Sequence, residues 1–401
     1  MSSTLGLYIH LPFCESKCHY CNFASGVYPQ GLVTPYLKAL SQEVVSLKKI
    51  SFHAGISFEE IVSSEVDTIY LGGGTPSFIS GEDLLALMIL VRQTFHVAAA
   101  AEVTIEVNPG SADSRKIDRY LEAGVNRVSI GMQTFQDDLL KRIGRSHRVE
   151  DAWSTFELFR RRGFKNISLD LIAGLPGQTL EDWQENLNTV GCLSPKHVSM
   201  YLLEIYENTQ FGKIYGHSVS EEMNPGEDPS DAGLPPEDLV EQLYLDSIRF
   251  FGGQGYRQYE ISNFAKPGRE SRHNLKYWTG KPYLGLGCSA HSCFGGKRWS
   301  NERSVGGYVQ LIQRQSQAID VQASLTALER REEAIFLGLR LSQGLDLAKF
   351  RDNFGFSFAE RYQKRMEYLR EGDLIEVSAD RLWLTPKGYL LSNEVFAELL
   401  R

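Results

Sequence analysis

The chain has 401 residues, 42% hydrophobic and 23% charged, with a formal net charge of −8. That composition excludes collagen-like, disordered and disulfide-scaffold classes, and the acidic balance argues against a broad nucleic-acid or anionic-membrane surface. No apolar run approaches the roughly 18 residues of a membrane span, and no basic segment opens the chain ahead of an apolar one. A cytoplasmic protein with no membrane span is therefore expected.

In chain order, strands are predicted at residues 5–13, 66–71, 102–108, 127–133, 166–173 and 197–205. Helices with an apolar face are predicted between them at 35–49, 81–95, 113–123, 149–162 and 179–190. Such alternation specifies parallel βα units. Six units fit before the pattern breaks, so the fold class is α/β. A partial (β/α)6 TIM-like barrel is the expected arrangement, with its chemistry at the carboxyl ends of the strands; a doubly wound open sheet is the alternative. Residues 218–238 hold seven acids, four prolines and no base, and read as an exposed, mobile insertion. From 239 to 324 the chain is rich in glycine and aromatics, with few long periodic helices. Helices at 330–341, 347–354 and 358–371 and a hairpin at 374–384 then outline a small winged-helix-like module. The expected division is thus 1–206, 207–238, 239–324 and 325–401.

The six cysteines are unevenly placed. Cys14, Cys18 and Cys21 share one loop after the first strand, whereas Cys192, Cys288 and Cys293 are scattered. Three thiols spaced C-x3-C-x2-C can converge on a metal. Iron–sulfur clusters usually take four cysteines, so three would leave one iron open to a small molecule. A zinc site completed by His19 and unligated cysteines are the other readings; zinc sites favour tighter C-x2-C pairs. Cys288 and Cys293 read as apolar fillers, with extra soft ligands the alternative, and His10 as a strut for the loop.

This spacing, with Tyr20 ahead of the third cysteine, resembles the radical S-adenosylmethionine (SAM) superfamily. The resemblance continues in Gly72-Gly73-Gly74-Thr75-Pro76, in Glu106-Val-Asn-Pro and in Asp170-Leu-Ile-Ala-Gly-Leu-Pro. It implies a [4Fe–4S] cluster on Cys14, Cys18 and Cys21. It also implies that SAM is met by Gly73, Gly74, Thr75, Glu106, Gln133, Arg145 and Asp170, with Tyr8 and Tyr20 flanking the cluster. In that chemistry the reduced cluster cleaves SAM to a 5′-deoxyadenosyl radical while the protein orients the cofactors.

Within the superfamily the motifs resemble oxygen-independent coproporphyrinogen III dehydrogenase and its relatives. Two departures point away from the dehydrogenase itself: Phe23 stands where its pattern has a further cysteine, and only 13 residues precede Cys14. Tyr259-Glu-Ile-Ser-Asn-Phe-Ala and His273-Asn-Leu-Lys-Tyr277-Trp278 are similar to the HemW-type haem chaperones, which imply haem as cargo, haem-acceptor apoproteins such as respiratory enzymes as partners, and an electron donor. His273 can ligate haem iron while Tyr277 and Trp278 pack on a porphyrin. A histidine hydrogen-bonded within an aromatic core is the plainer reading of the same residues.

Overall fold

The computed structural model describes residues 4–216 and 233–400. Six strands alternate with helices: β1 (Leu5–Leu11), β2 (Val66–Gly73), β3 (Val97–Val107), β4 (Arg127–Gln133), β5 (Ile167–Ala173) and β6 (His197–Leu202). Each pairs in parallel with the next. Leu7 lies opposite Ile69, Ile69 opposite Val103, Ile105 opposite Val128, and Leu169 opposite both Ile130 and Val198. These strands are nearly continuous in buried residues, as parallel strands covered on both faces must be; every residue of β4 is buried.

The strand order runs 1-2-3-4-5-6 without reversal. A doubly wound sheet reverses at a switch point; this one does not. Right-handed crossovers therefore place the helices on one face and leave an enclosed inner face. The six parallel units of a partial barrel are present as expected. The helix ends follow local chemistry: Ser80 and Asp113 accept from the amides of Asp83 and Lys116, and Thr179 forms a capping box with Asp182.

Other elements differ from expectation. The helix expected at 35–49 is two helices, Val33–Val45 and Leu47–Ala54, broken at Ser46. Short helices at Phe58–Ser63 and Asp137–Arg142 were not anticipated, because six residues show too little periodicity. The acidic segment lies outside the described residues up to 232, and its end, Glu237 and Asp238, opens the 17-residue helix Glu237–Gly253. That helix corrects the expectation of few long helices after residue 239.

The sheet also continues past β6. The short strands β7 (Arg257–Glu260) and β8 (Asn263–Ala265) form a hairpin beside β6. On the other side β9 (Tyr283–Leu286) runs parallel to β1, followed by β10 (His291–Phe294), β11 (Lys297–Asn301) and β12 (Ile319–Ser324). Twelve strands result, in the order 12-11-10-9-1-2-3-4-5-6-8-7. Residues 327–400 carry the helices Ala327–Arg340, Leu347–Phe354 and Phe358–Glu371 and a separate three-stranded sheet, matching the winged-helix outline. A buried ion pair links this part to the β7–β8 hairpin. Arg340 Nε lies 2.8 Å from Glu260 Oε2, and the guanidinium lies over the Trp278 ring at 4.1 Å.

Candidate radical SAM site

The loop after β1 is tied down at both ends. Cys14 N donates to Gly26 O and Gly26 N to Pro12 O, while His19 N donates to Ile143 O. Lys17 Nζ donates to the carbonyls of Phe23 and Ser25, each at 2.9 Å, and lies 3.5 Å from Cys21 Sγ. Cys14, Cys18 and Cys21 are all half-buried. Among the described residues no three His, Cys, Asp or Glu side chains already converge on one metal point. The thiols are nonetheless neighbours: burial pushes the Cys14 thiol up, hydrogen bonds to Thr75 and Ser25 oppose this, and the charges of Cys21 and Cys18 add to it.

His19 Nδ1 is 2.9 Å from Arg142 O and its ring packs edge-on to Phe211; among the described residues it joins no group of three metal-ligating side chains. His10 is the strut expected, with Nε2 2.9 Å from Ala24 O and Nδ1 3.0 Å from Tyr8 Oη.

The glycine turn after β2 locks onto this loop. Gly74 N donates to Leu11 O and Thr75 N to Phe13 O. A Cβ on Gly74 would stand 2.8 Å from the Phe13 carbonyl oxygen, and one on Gly73 (φ +115°) would stand 2.5 Å from the His10 ring. Glycine is thus required here first by the backbone's approach to the cysteine loop.

Polar side chains line the inner face of the sheet. Glu106 accepts from Tyr70 Oη at 2.8 Å and from Gly73 N at 3.2 Å. It keeps some exposure yet is densely surrounded, as in a deep cleft. Burial and, less, the charge of Asp170 carry its carboxyl up to about 7, against these hydrogen bonds and Arg127. Asp170 accepts from Ser129 Oγ at 3.0 Å, and burial raises its pKa too. Gln133 ends β4 at φ +66°. Arg145 donates to Asn108 Oδ1 at 2.8 Å and to Tyr20 Oη at 3.3 Å; its buried Nε has no partner. Burial opposes the Arg145 charge, but Tyr20 and the Cys18 and Cys21 thiols favour it and raise its pKa.

These donors fit the cofactors the sequence implies. Three thiols in one loop offer no fourth cysteine, and the cleft beside them presents two carboxylates and a guanidinium with a free, buried N–H. Two profiles match the chain: the Radical SAM superfamily over residues 8–190 and the HemN C-terminal domain over 325–391. The chain is 38% identical over 394 residues to the heme chaperone HemW of Bacillus subtilis, covering 98% of both chains.

The chain belongs to the HemW family.

The HemW of Lactococcus lactis is 32% identical, covering 98% of this chain and 96% of its own. The solved coproporphyrinogen III oxidase HemN of Escherichia coli, a radical SAM enzyme, superposes with a TM-score of 0.80. It is 25% identical and covers 99% of this chain and 90% of its own. Radical SAM membership implies a [4Fe–4S] cluster and SAM.

The motif residues His273, Tyr277 and Trp278 of this HemW-family chain lie elsewhere. The helix Arg272–Trp278 sits against the amino-terminal halves of β1 and β2, opposite the cysteine loop: a Cβ on Gly6 would meet Lys276, Thr68 and His273. His273 is 1% exposed, with Nδ1 2.9 Å from Thr68 Oγ1 and Nε2 2.9 Å from Tyr277 Oη. Burial holds its pKa down at about 3, so the ring is neutral. This is the core histidine of the plainer reading, and as placed it offers no free nitrogen to haem iron.

Cys288 is fully buried beside Tyr36, Cys293 half-buried and Cys192 exposed. Sequence reasoning missed Tyr70 and Asn108, which hold Glu106 and Arg145. Their signal was the period-two alternation that turns Tyr70, Glu106, Ser129 and Asp170 to one face. Among the described residues no helix is long and apolar enough to cross a membrane.

Proposed function

We propose that this protein is a cytoplasmic haem chaperone that carries a [4Fe–4S] cluster on Cys14, Cys18 and Cys21, binds SAM beside it and passes haem to acceptor apoproteins. One observation carries the reading: similarity along 98% of the chain to proteins named heme chaperone, joined to an open set of three thiols in the cleft loop. When bound, the cluster supplies one-electron chemistry and an iron that SAM can chelate.

The chain's own residues hold and orient. Gly73, Gly74 and Thr75 form a turn that would meet the methionine part of SAM. Glu106, Gln133 and Asp170 would accept from its ammonium and ribose hydroxyls, and Arg145, fixed by Asn108 and Tyr20, would offer its Nε–H to the carboxylate. Tyr8, joined to the loop through His10, and Tyr20, which holds Arg145, would flank the cluster. Haem contact at His273, Tyr277 and Trp278 requires the Arg272–Trp278 helix to release either the Thr68 or the Tyr277 bond of His273. The four-part division at 206, 238 and 324 assigns the first part to the cofactors and the later parts to the cargo.

Anaerobic reconstitution should give a brown protein with about four irons per chain, lost in Cys14→Ala, Cys18→Ala and Cys21→Ala. Added haem should give a Soret band, weakened in His273→Ala, and the loaded protein should pass haem to an apo-enzyme. A colourless, zinc-loaded protein overturns the cluster. Conversion of coproporphyrinogen III by the reduced protein with SAM, without haem transfer, overturns the chaperone in favour of a dehydrogenase.

A further inference from the structure

Three rings from three elements are stacked across the floor of the cleft. Tyr8 of β1 and Tyr70 of β2 lie 6.2 Å apart at 25°, and Tyr70 and His273 lie 5.3 Å apart at 29°. Tyr70 is thus held on both faces, and its one polar atom donates to Glu106. His273 cannot slide, because Thr68 and Tyr277 hold its two ring nitrogens and Glu102 accepts from its backbone N–H. The 272–278 helix is itself pinned, Lys276 Nζ lying 2.6 Å from Asp67 Oδ1. Every joint from this helix to Glu106 is therefore a hydrogen bond or a ring stack between buried or half-buried groups.

We propose that His273 is a positioning residue for the Glu106 end of the SAM site, clamping Tyr70 so that its hydroxyl sets the orientation of Glu106. The inference rests on the reading of Glu106 as a SAM contact. It gives the histidine of the His-Asn-x-x-Tyr-Trp segment work at the cofactor site, independent of any contact with haem. Physically, a flat ring packed parallel to another fixes its plane, and a carboxylate held by a fixed donor does not have to be ordered when the ligand arrives.

The test uses the reconstituted, reduced holoprotein and SAM itself, with binding followed by the change SAM causes in the electron paramagnetic resonance of the cluster. Tyr70→Phe keeps the ring and removes only the hydroxyl, so it does not depend on surviving a cavity; His273→Ala removes the clamp. Both should weaken SAM binding roughly fivefold, the scale of one neutral hydrogen bond, with iron content unchanged. Both should also move the pH midpoint of SAM binding upward. Glu106 then loses the donor that favours its ionised form, while Asp170, Arg127 and the Gly73 amide still face it. A merely structural role leaves that midpoint in place. Glu106→Gln separates the two ideas. If it binds SAM like the native protein, the site reading fails. If it loses SAM while Tyr70→Phe and His273→Ala bind within twofold of native at an unmoved midpoint, the positioning role is overturned.

Discussion

Glu106→Gln has a second consequence, on stability, that can be worked from the structure. The carboxyl has an ordinary value of 4.5 and is carried to about 7 in the folded chain by burial first. A raised carboxyl favours the protonated fold, so its contribution is full below pH 4.5 and is lost as pH rises through about 7. The interval is worth about 3 kcal/mol. Glutamine has nearly the same shape, and its amide oxygen still accepts from Tyr70 or the Gly73 amide, but it carries no charge. The variant without cofactors should therefore exceed the native apoprotein by about 1 kcal/mol at pH 5 and about 3 kcal/mol at pH 8. Urea unfolding at the two pH values, followed by far-ultraviolet circular dichroism, reads both numbers. An advantage equal at the two pH values, or a less stable variant at pH 8, would refute the claim that a desolvated charge sits at this position. Confirmation would mean that the folded chain gives up stability at a position reserved for a cation or hydrogen-bond donor.

Other substitutions report on neighbouring joints. Gly74→Ala drives a Cβ into the Pro12–Phe13 backbone, which cannot swing aside; it should cost about 2 kcal/mol and lower the iron retained on reconstitution. Gly306→Ala, where nothing lies within 4 Å, should stay within about 0.5 kcal/mol of native. Arg145→Lys cannot serve Asn108 and Tyr20 with one planar fork, so SAM titration should show roughly tenfold weaker binding. Arg340→Ala strands Glu260, which is 0% exposed, and removes the cover over Trp278. Its urea midpoint should fall by the equivalent of about 3 kcal/mol, and Glu260→Gln in the same chain should recover part of it.

Some of this was open to reading along the chain because it depends on neighbours in sequence. Parallel βα units follow from short apolar segments separated by amphipathic ones, and the order of the six strands agreed. The cysteine loop, the glycine turn and the residues at strand ends were legible because a spacing of three or two residues keeps side chains in one loop, and a strand's carboxyl end presents whatever stands there. Short stretches escaped: four-residue β9 beside β1, the six-residue helices and the one-residue break at Ser46 carry too little periodicity for their type to be read.

The sequence by itself determined the open set of three thiols: Cys14, Cys18 and Cys21 are close because eight residues of chain hold them so, and Phe23 is not a fourth. Only the tertiary structure decided where His273 sits and what holds its ring. The same six-residue motif suits a haem ligand or a core histidine, and the outcome depends on Thr68, Tyr70 and Glu102, some 170 to 205 residues away in sequence. Burial among those partners takes up both ring nitrogens, and no local pattern encodes a partner at that distance.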